Sequence, residues 1–320
     1  MTDSRITFGV YLPQDAPYAV LRELAQAADE LGYDAIWFID HLIGASVSVD
    51  APLLECWTVM AAMAEATRRV RLGTMVLCNA FRSPALLAKM AATLDVISGG
   101  RLEFALGAGW YEREFKQYGF PFPPAAVRIA QLEEALEVIK RLWTQDEAWF
   151  FGKYYTLAGA VNRPKPLQQP HPPVHIGGRG ERLMLRLVAR HADRWNVAAG
   201  TTLEEYRHKV AVLEAHCQAV GRDPARIGRS RQLIVVLVEE EAELPAALRE
   251  AQERFALFGD MHRLAIRGTP EACIAQLQQH VALGVTSFAL FLSDLSVHPQ
   301  TRGIAALRRF AERVRPAFAT

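Results

Sequence analysis

Eight short runs rich in β-branched and aromatic residues alternate with helical patterns almost from end to end of this chain, at 6–12, 35–39, 70–77, 102–106, 174–176, 194–198, 233–238 and 286–292. Such alternation argues for parallel strands joined by crossover helices. Eight is the number that closes a barrel. A doubly wound sheet would show the same alternation, but its usual fingerprint is GxGxxG after the first strand. Here that strand runs into Tyr11-Leu12-Pro13-Gln14, and Gly107-Ala108-Gly109 lacks the third glycine. The expected fold is therefore an α/β (β/α)8 TIM barrel, a single domain over 1–320, with its chemistry on loops at the C-terminal ends of the strands.

The segment from Ser83 to Glu114 is the most explicit piece of this pattern. Ser83 can cap a helix whose first position is Pro84, where a missing N–H costs nothing. Leu87, Met90, Ala91, Leu94 and Ile97 recur at three- and four-residue spacing as one apolar face, and Gly99 can end the helix in the left-handed conformation. Leu102, Phe104 and Leu106 then alternate as a strand. Gly107-Ala108-Gly109 follows, a backbone bare enough for something to approach closely.

The regularity breaks over 144–173, an insertion between strands 4 and 5. WFFGKYYTL reads as two short strands around a Gly-Lys turn, and RPKPLQQPHPP is too rich in proline for a central strand or helix. The segment is either a rigid connector or a lid. A second irregular patch, 258–268, precedes a good helix start at Thr269-Pro270-Glu271.

Charge narrows the partners. Lys and Arg number 36 against 35 Asp and Glu, with no basic block, so neither nucleic acid nor an anionic membrane is an expected partner. Cys56, Cys78, Cys217 and Cys273 show neither CxxC nor metal-ligand spacing, and the prolines between His171 and His175 prevent the helix that would pair those rings on zinc. No metal site is expected. The N-terminal segment lacks a signal-peptide pattern and no apolar run reaches about 18 residues, so a cytoplasmic protein is expected.

Several groups at strand ends could carry chemistry. Asp40-His41 directly follows the second strand. At a barrel mouth the histidine can exchange a proton with a ligand while the carboxylate fixes its position, or the histidine simply caps a loop. Thr74, Met75, Val76, Cys78 and Asn79 lie where the third strand emerges; they suit a flat heteroaromatic ligand, or are plain core. Ala108, Gly109 and Trp110 occupy the same place after the fourth strand. After the fifth, Gly177, Gly178, Arg179 and Gly180 lead into a helical run, where bare N–H groups can bind a phosphate, or form a tight turn needing positive φ. Asn196 can face the mouth from the sixth strand. Trp110, Tyr111 and Phe81 suggest an aromatic-walled pocket.

The Asp40-His41 pair, LGTMVL, SPALLAKMAATLDVISGGRLEFALGAGWYERE, RPKPLQQPHPPVHIGG and the GTPE start, in this order, resemble the luciferase-like monooxygenase superfamily. Within it the Asp-His pair and GAGWYERE are most similar to the subgroup that uses coenzyme F420, a deazaflavin bearing a phosphate. The resemblance implies a ring lying across the barrel mouth, His41 near its reactive edge, Gly177 to Gly180 near the phosphate, and a cis non-prolyl peptide at Met75-Val76. It also implies a homodimer and a small-molecule substrate. In the sugar-phosphate dehydrogenases of this superfamily a tryptophan and a glutamate stand where this chain has Ala45 and Trp110, so that activity is not expected and the acid opposite His41 is unidentified. The implied function is an F420-dependent oxidoreductase moving a hydride between the deazaflavin and a small organic substrate. The alternatives are an FMN-dependent monooxygenase using O2 and a non-catalytic barrel that binds flavin or deazaflavin.

Overall fold

The computed structural model describes residues 5–45 and 50–319; the first four residues of the N-terminal segment read above lie outside them. Eight parallel strands close into a barrel: β1 (Thr7–Tyr11), β2 (Ala35–Phe38), β3 (Arg71–Thr74), β4 (Leu102–Gly107), β5 (Val174–Gly177), β6 (Arg194–Val197), β7 (Gly228–Leu237) and β8 (Ser287–Leu292). Closure is made by β8, which pairs with both β1 and β7, while β7 also pairs with β6.

Because helices cover the outer faces and side chains fill the interior, strands such as β2 are apolar at every position rather than alternating. Trp37 fills the centre. A Cβ on Gly9 would overlap its indole, and one on Gly73 would come within 2.5 Å of the ring, so glycine at these two positions makes room for it. Below Trp37, Glu103 accepts hydrogen bonds from Arg71 and, at 2.6 Å, from His175, with Arg194 at 3.8 Å. Burial alone would raise the Glu103 pKa. The bond from His175 and the charges of Arg194 and Arg71 outweigh it and hold the carboxyl well below the usual range.

Several local expectations are corrected. The run 70–77 is not one strand: β3 stops at Thr74, the Met75-Val76 peptide is cis, and Leu77–Cys78 resumes pairing on β4. β7 starts at Gly228, not 233. Its polar first half stays in the sheet because inward Ser230 and Gln232 bond to Asn196 while Arg231 packs over the Tyr206 ring. Ser83 does sit at the N-cap of helix Pro84–Ile97, but its side chain makes no capping bond. The buried face of that helix runs through Leu87, Ala88, Ala91 and Leu94, and Ile97 is 44% exposed. The patch 258–268 contains a short strand, Ile266–Gly268, paired with β7.

Within 144–173, strands Ala148–Phe151 and Thr156–Ala160 form the expected hairpin. Glu134 holds its tip by accepting from the N–H groups of Lys153, Tyr154 and Tyr155 at 2.8, 2.8 and 3.1 Å. Further on, Gln168 fastens the proline-rich part to Asp95 through two hydrogen bonds of 3.0 and 2.7 Å. No residue of 144–173 lines the mouth cavity, so the segment sits as a connector on the barrel's flank. Among the described residues no helix is long and apolar enough to cross a membrane.

Candidate active site at the barrel mouth

A cavity of about 520 Å3 opens at the C-terminal ends of the strands. Its floor is the Met75-Val76 cis peptide. Val76 is wedged between two glycines: a Cβ on either Gly107 or Gly177 would lie 2.7 Å from a Val76 methyl. Tyr11 donates its hydroxyl to the Met75 carbonyl at 3.2 Å and stacks on Phe291 with centroids 3.7 Å apart. Phe255 and Phe258 pack around Phe291 at 5.7 and 5.9 Å, so the β7–β8–β1 side is an aromatic wall.

His41 stands in the loop after β2. Its Nδ1 lies 3.0 and 3.1 Å from the two oxygens of Glu114, a buried residue of helix Glu112–Gln117, and Glu114 Oε2 also accepts from the Leu42 N–H at 3.1 Å. A carboxylate at Nδ1 calls for a proton there, which leaves Nε2 as the ring nitrogen that Glu114 does not engage. Trp110 and Tyr111 meet the imidazole edge-on at 5.6 and 6.0 Å. The carboxylate that meets the His41 ring is thus Glu114, a partner the sequence reading did not name.

Asp40 does not take that part. Its Oδ2 accepts from Cys78 N at 2.7 Å and Arg82 Nη1 at 2.8 Å, and its Oδ1 accepts from Arg82 Nη2 and Cys56 Sγ, both at 3.0 Å. Just past the end of β2, these two neighbours in sequence thus serve different sites. Asp40, Glu55 and Cys56 come close enough to suggest a metal cluster, but the Arg82 guanidinium bonds to all three. Burial pushes the Cys78 thiol up to about 12, which makes it an unreactive wall group.

Met75, Val76, Cys78, Ala108, Gly109, Trp110, Gly177, Gly178 and Arg179 all line the cavity, whereas Thr74, Asn79 and Gly180 do not. Thr74 lies on the outer face of β3, one residue from inward Gly73; Asn79 donates to the Tyr155 hydroxyl at 3.2 Å; Gly180 lies exposed beyond the rim. The glycine turn is also less bare than expected. Gly178 N–H donates to the Asn196 carbonyl at 3.2 Å, and its own carbonyl accepts from Trp195 Nε1 at 2.8 Å. Arg179 leans on the Gly200 carbonyl at 2.7 Å and makes no direct ion pair among the described residues. Sequence reasoning missed Gln14, Asp15, Gln232, Arg254 and the aromatic wall, which come from β1 and the loop after it, β7, the end of helix Leu244–Phe255 with the turn that follows, and β8, with no common spacing.

The family described as luciferase-like monooxygenase matches residues 4–287. The chain belongs to this family. An F420-dependent glucose-6-phosphate dehydrogenase of Amycolatopsis mediterranei (strain U-32) is 35% identical over 59% of this chain and 56% of its own length. An FMNH2-dependent dimethylsulfone monooxygenase of Pseudomonas putida is 32% identical over 69% and 59%. The chain thus spans less than two thirds of these curated relatives. Among solved structures of the luciferase-like fold, an F420-dependent secondary alcohol dehydrogenase in complex with an F420-acetone adduct superposes with TM-score 0.83, at 21% identity, over 99% of this chain and all (100%) of that one.

Proposed function

We propose that this chain is an F420-dependent oxidoreductase that moves a hydride between the deazaflavin and a small organic substrate. One observation carries the proposal: His41 lines the open mouth with Nδ1 tied to Glu114, and Nε2, which has no hydrogen-bond partner among the described residues, is placed to take or return a proton. The cavity suits a flat tricyclic ring, since its floor is kept low by Gly107 and Gly177 around Val76 and its lining includes the amide of Gln232. Arg179, which makes no direct ion pair among the described residues, suits the phosphate beside Gly177 and Gly178. When bound, the deazaflavin would accept or donate the hydride. The protein then has to orient the substrate, exclude water and handle the matching proton, which we assign to His41 Nε2.

The relative that uses FMNH2 supports a second reading, a flavin monooxygenase. Fluorescence titration with each coenzyme separates the two. Tight binding of the deazaflavin alone is the expected result, FMN alone would favour the monooxygenase, and binding of neither would leave a non-catalytic scaffold. Gly178→Asp should abolish deazaflavin binding by setting a carboxylate against the phosphate. A Cβ at Gly178 already comes within 2.6 Å of Met184 Cγ, so Gly178→Ala serves as the control for bulk.

A further inference from the structure

The two arginines that line the cavity, among the described residues, are differently placed: Arg179 makes no direct ion pair there, while Arg254 is already neutralised. Arg254 ends helix Leu244–Phe255, and Asp15 lies in the loop after β1. They form a bidentate pair, Nη1 to Oδ2 at 2.7 Å and Nη2 to Oδ1 at 3.0 Å, with side chains only 19% and 21% exposed. Since β7, β8 and β1 are consecutive in the barrel, the pair spans the rim above β8, directly over the wall of Tyr11, Phe255, Phe258 and Phe291. The Nε of Arg254 is shielded from solvent and has no partner.

We propose that Asp15 is a specificity-determining residue: by occupying Arg254 it restricts the substrate side of the mouth to neutral, apolar compounds, an uncharged alcohol or its carbonyl counterpart, given the redox role proposed above. A bidentate guanidinium–carboxylate pair is a strong, oriented contact. An ionised substrate group reaching Arg254 must displace Asp15 and leave two anions side by side in a half-buried, aromatic-walled space. Neutral substrates meet no such barrier. Selectivity here comes from repulsion as much as from attraction. Without the Asp15 charge, the same Arg254 becomes an anchor for an anion.

Calorimetric titration of the purified protein with cyclohexanol and with cyclohexanecarboxylate, each with and without deazaflavin, tests this. The wild type should bind the alcohol at least tenfold more tightly than the carboxylate. Asp15→Asn should tighten the carboxylate at least tenfold and leave the alcohol within about threefold, and Asp15→Asn/Arg254→Met should lose the gain, with melting curves verifying that each variant is folded. The proposal is overturned if the wild type binds the carboxylate as well as the alcohol, if it binds neither, or if Asp15→Asn leaves the carboxylate affinity within twofold. Charge selectivity without any deazaflavin binding would instead overturn the proposed coenzyme and leave the charge filter standing.

Discussion

His41 Nδ1 lies 3.0 Å from a carboxylate oxygen of Glu114, a contact that joins the loop after β2 to the helix after β4 and places the imidazole on the cavity wall. Glu114 accepts from both that ring and the Leu42 N–H, whereas an amide would turn one of the two atoms facing Nδ1 into an N–H donor. Glu114→Gln should therefore let the ring rotate or change tautomer and lower turnover roughly tenfold or more, with coenzyme affinity little changed. His41→Ala should cost roughly 100-fold in kcat, the usual worth of a positioned proton-transfer group. Steady-state rates beside a coenzyme titration check both; an unchanged rate for His41→Ala would remove it from the chemistry.

The floor of the site depends on the space beside Val76. Gly177→Ala would set a methyl within 2.7 Å of the Val76 side chain, and overpacking of this kind costs roughly 1–3 kcal/mol. Val76→Ala in the same chain should recover much of the loss. Melting curves of the single and double variants are the measurement, and equal stabilities for Gly177→Ala with and without Val76→Ala would rule out the steric account.

Asp40 and Arg82 are an internal clasp, with side chains 1% and 10% exposed. Removing one charge of a buried pair strands the other, so Arg82→Met should destabilise the fold by about 3–5 kcal/mol. Replacing both, as Asp40→Leu/Arg82→Met, should cost less than Arg82→Met alone. Urea unfolding reads the difference; a double variant less stable than the single one would show that the pair itself contributes net stability.

Burial lowers the pKa of His280 from 6.5 to about 3, aided by the nearby Arg231 charge, and its Nδ1 has no partner. The unfolded chain therefore takes up a proton on this ring that the folded chain refuses. Its contribution to stability is whole above the unfolded pKa and is lost as pH falls from about 6.5 toward 3. Across that window the stability of the wild type should fall more steeply than that of His280→Gln, by up to roughly 1.4 kcal/mol per pH unit. Parallel stability–pH curves would contradict this.

The barrel was legible because its cause is local. Each strand at 35–39, 102–106 or 286–292 announces itself by apolar, β-branched or aromatic residues, and each helix by its period and stops, such as Gly99 with its φ of +68°. What misled was polar content inside a buried strand: Ser230 and Gln232 read as loop until Asn196 on the neighbouring strand supplied their partner. The break in β3 at Met75-Val76 followed from the family resemblance and not from any propensity.

His41 was legible by its place after a strand, and so were the glycines at 107, 109, 177 and 178. The partner of His41 was not. Adjacency pointed to Asp40, yet Asp40 pairs with Arg82, and Glu114 meets the ring from 73 residues along. The Asp15–Arg254 pair spans 239 residues and had no local sign. By itself the sequence determined the units and their closure, because propensity, periodicity and caps act over a few residues. Which side chains meet at the mouth was decided only by the closed ring, which brings loops distant in the chain to within hydrogen-bond distance.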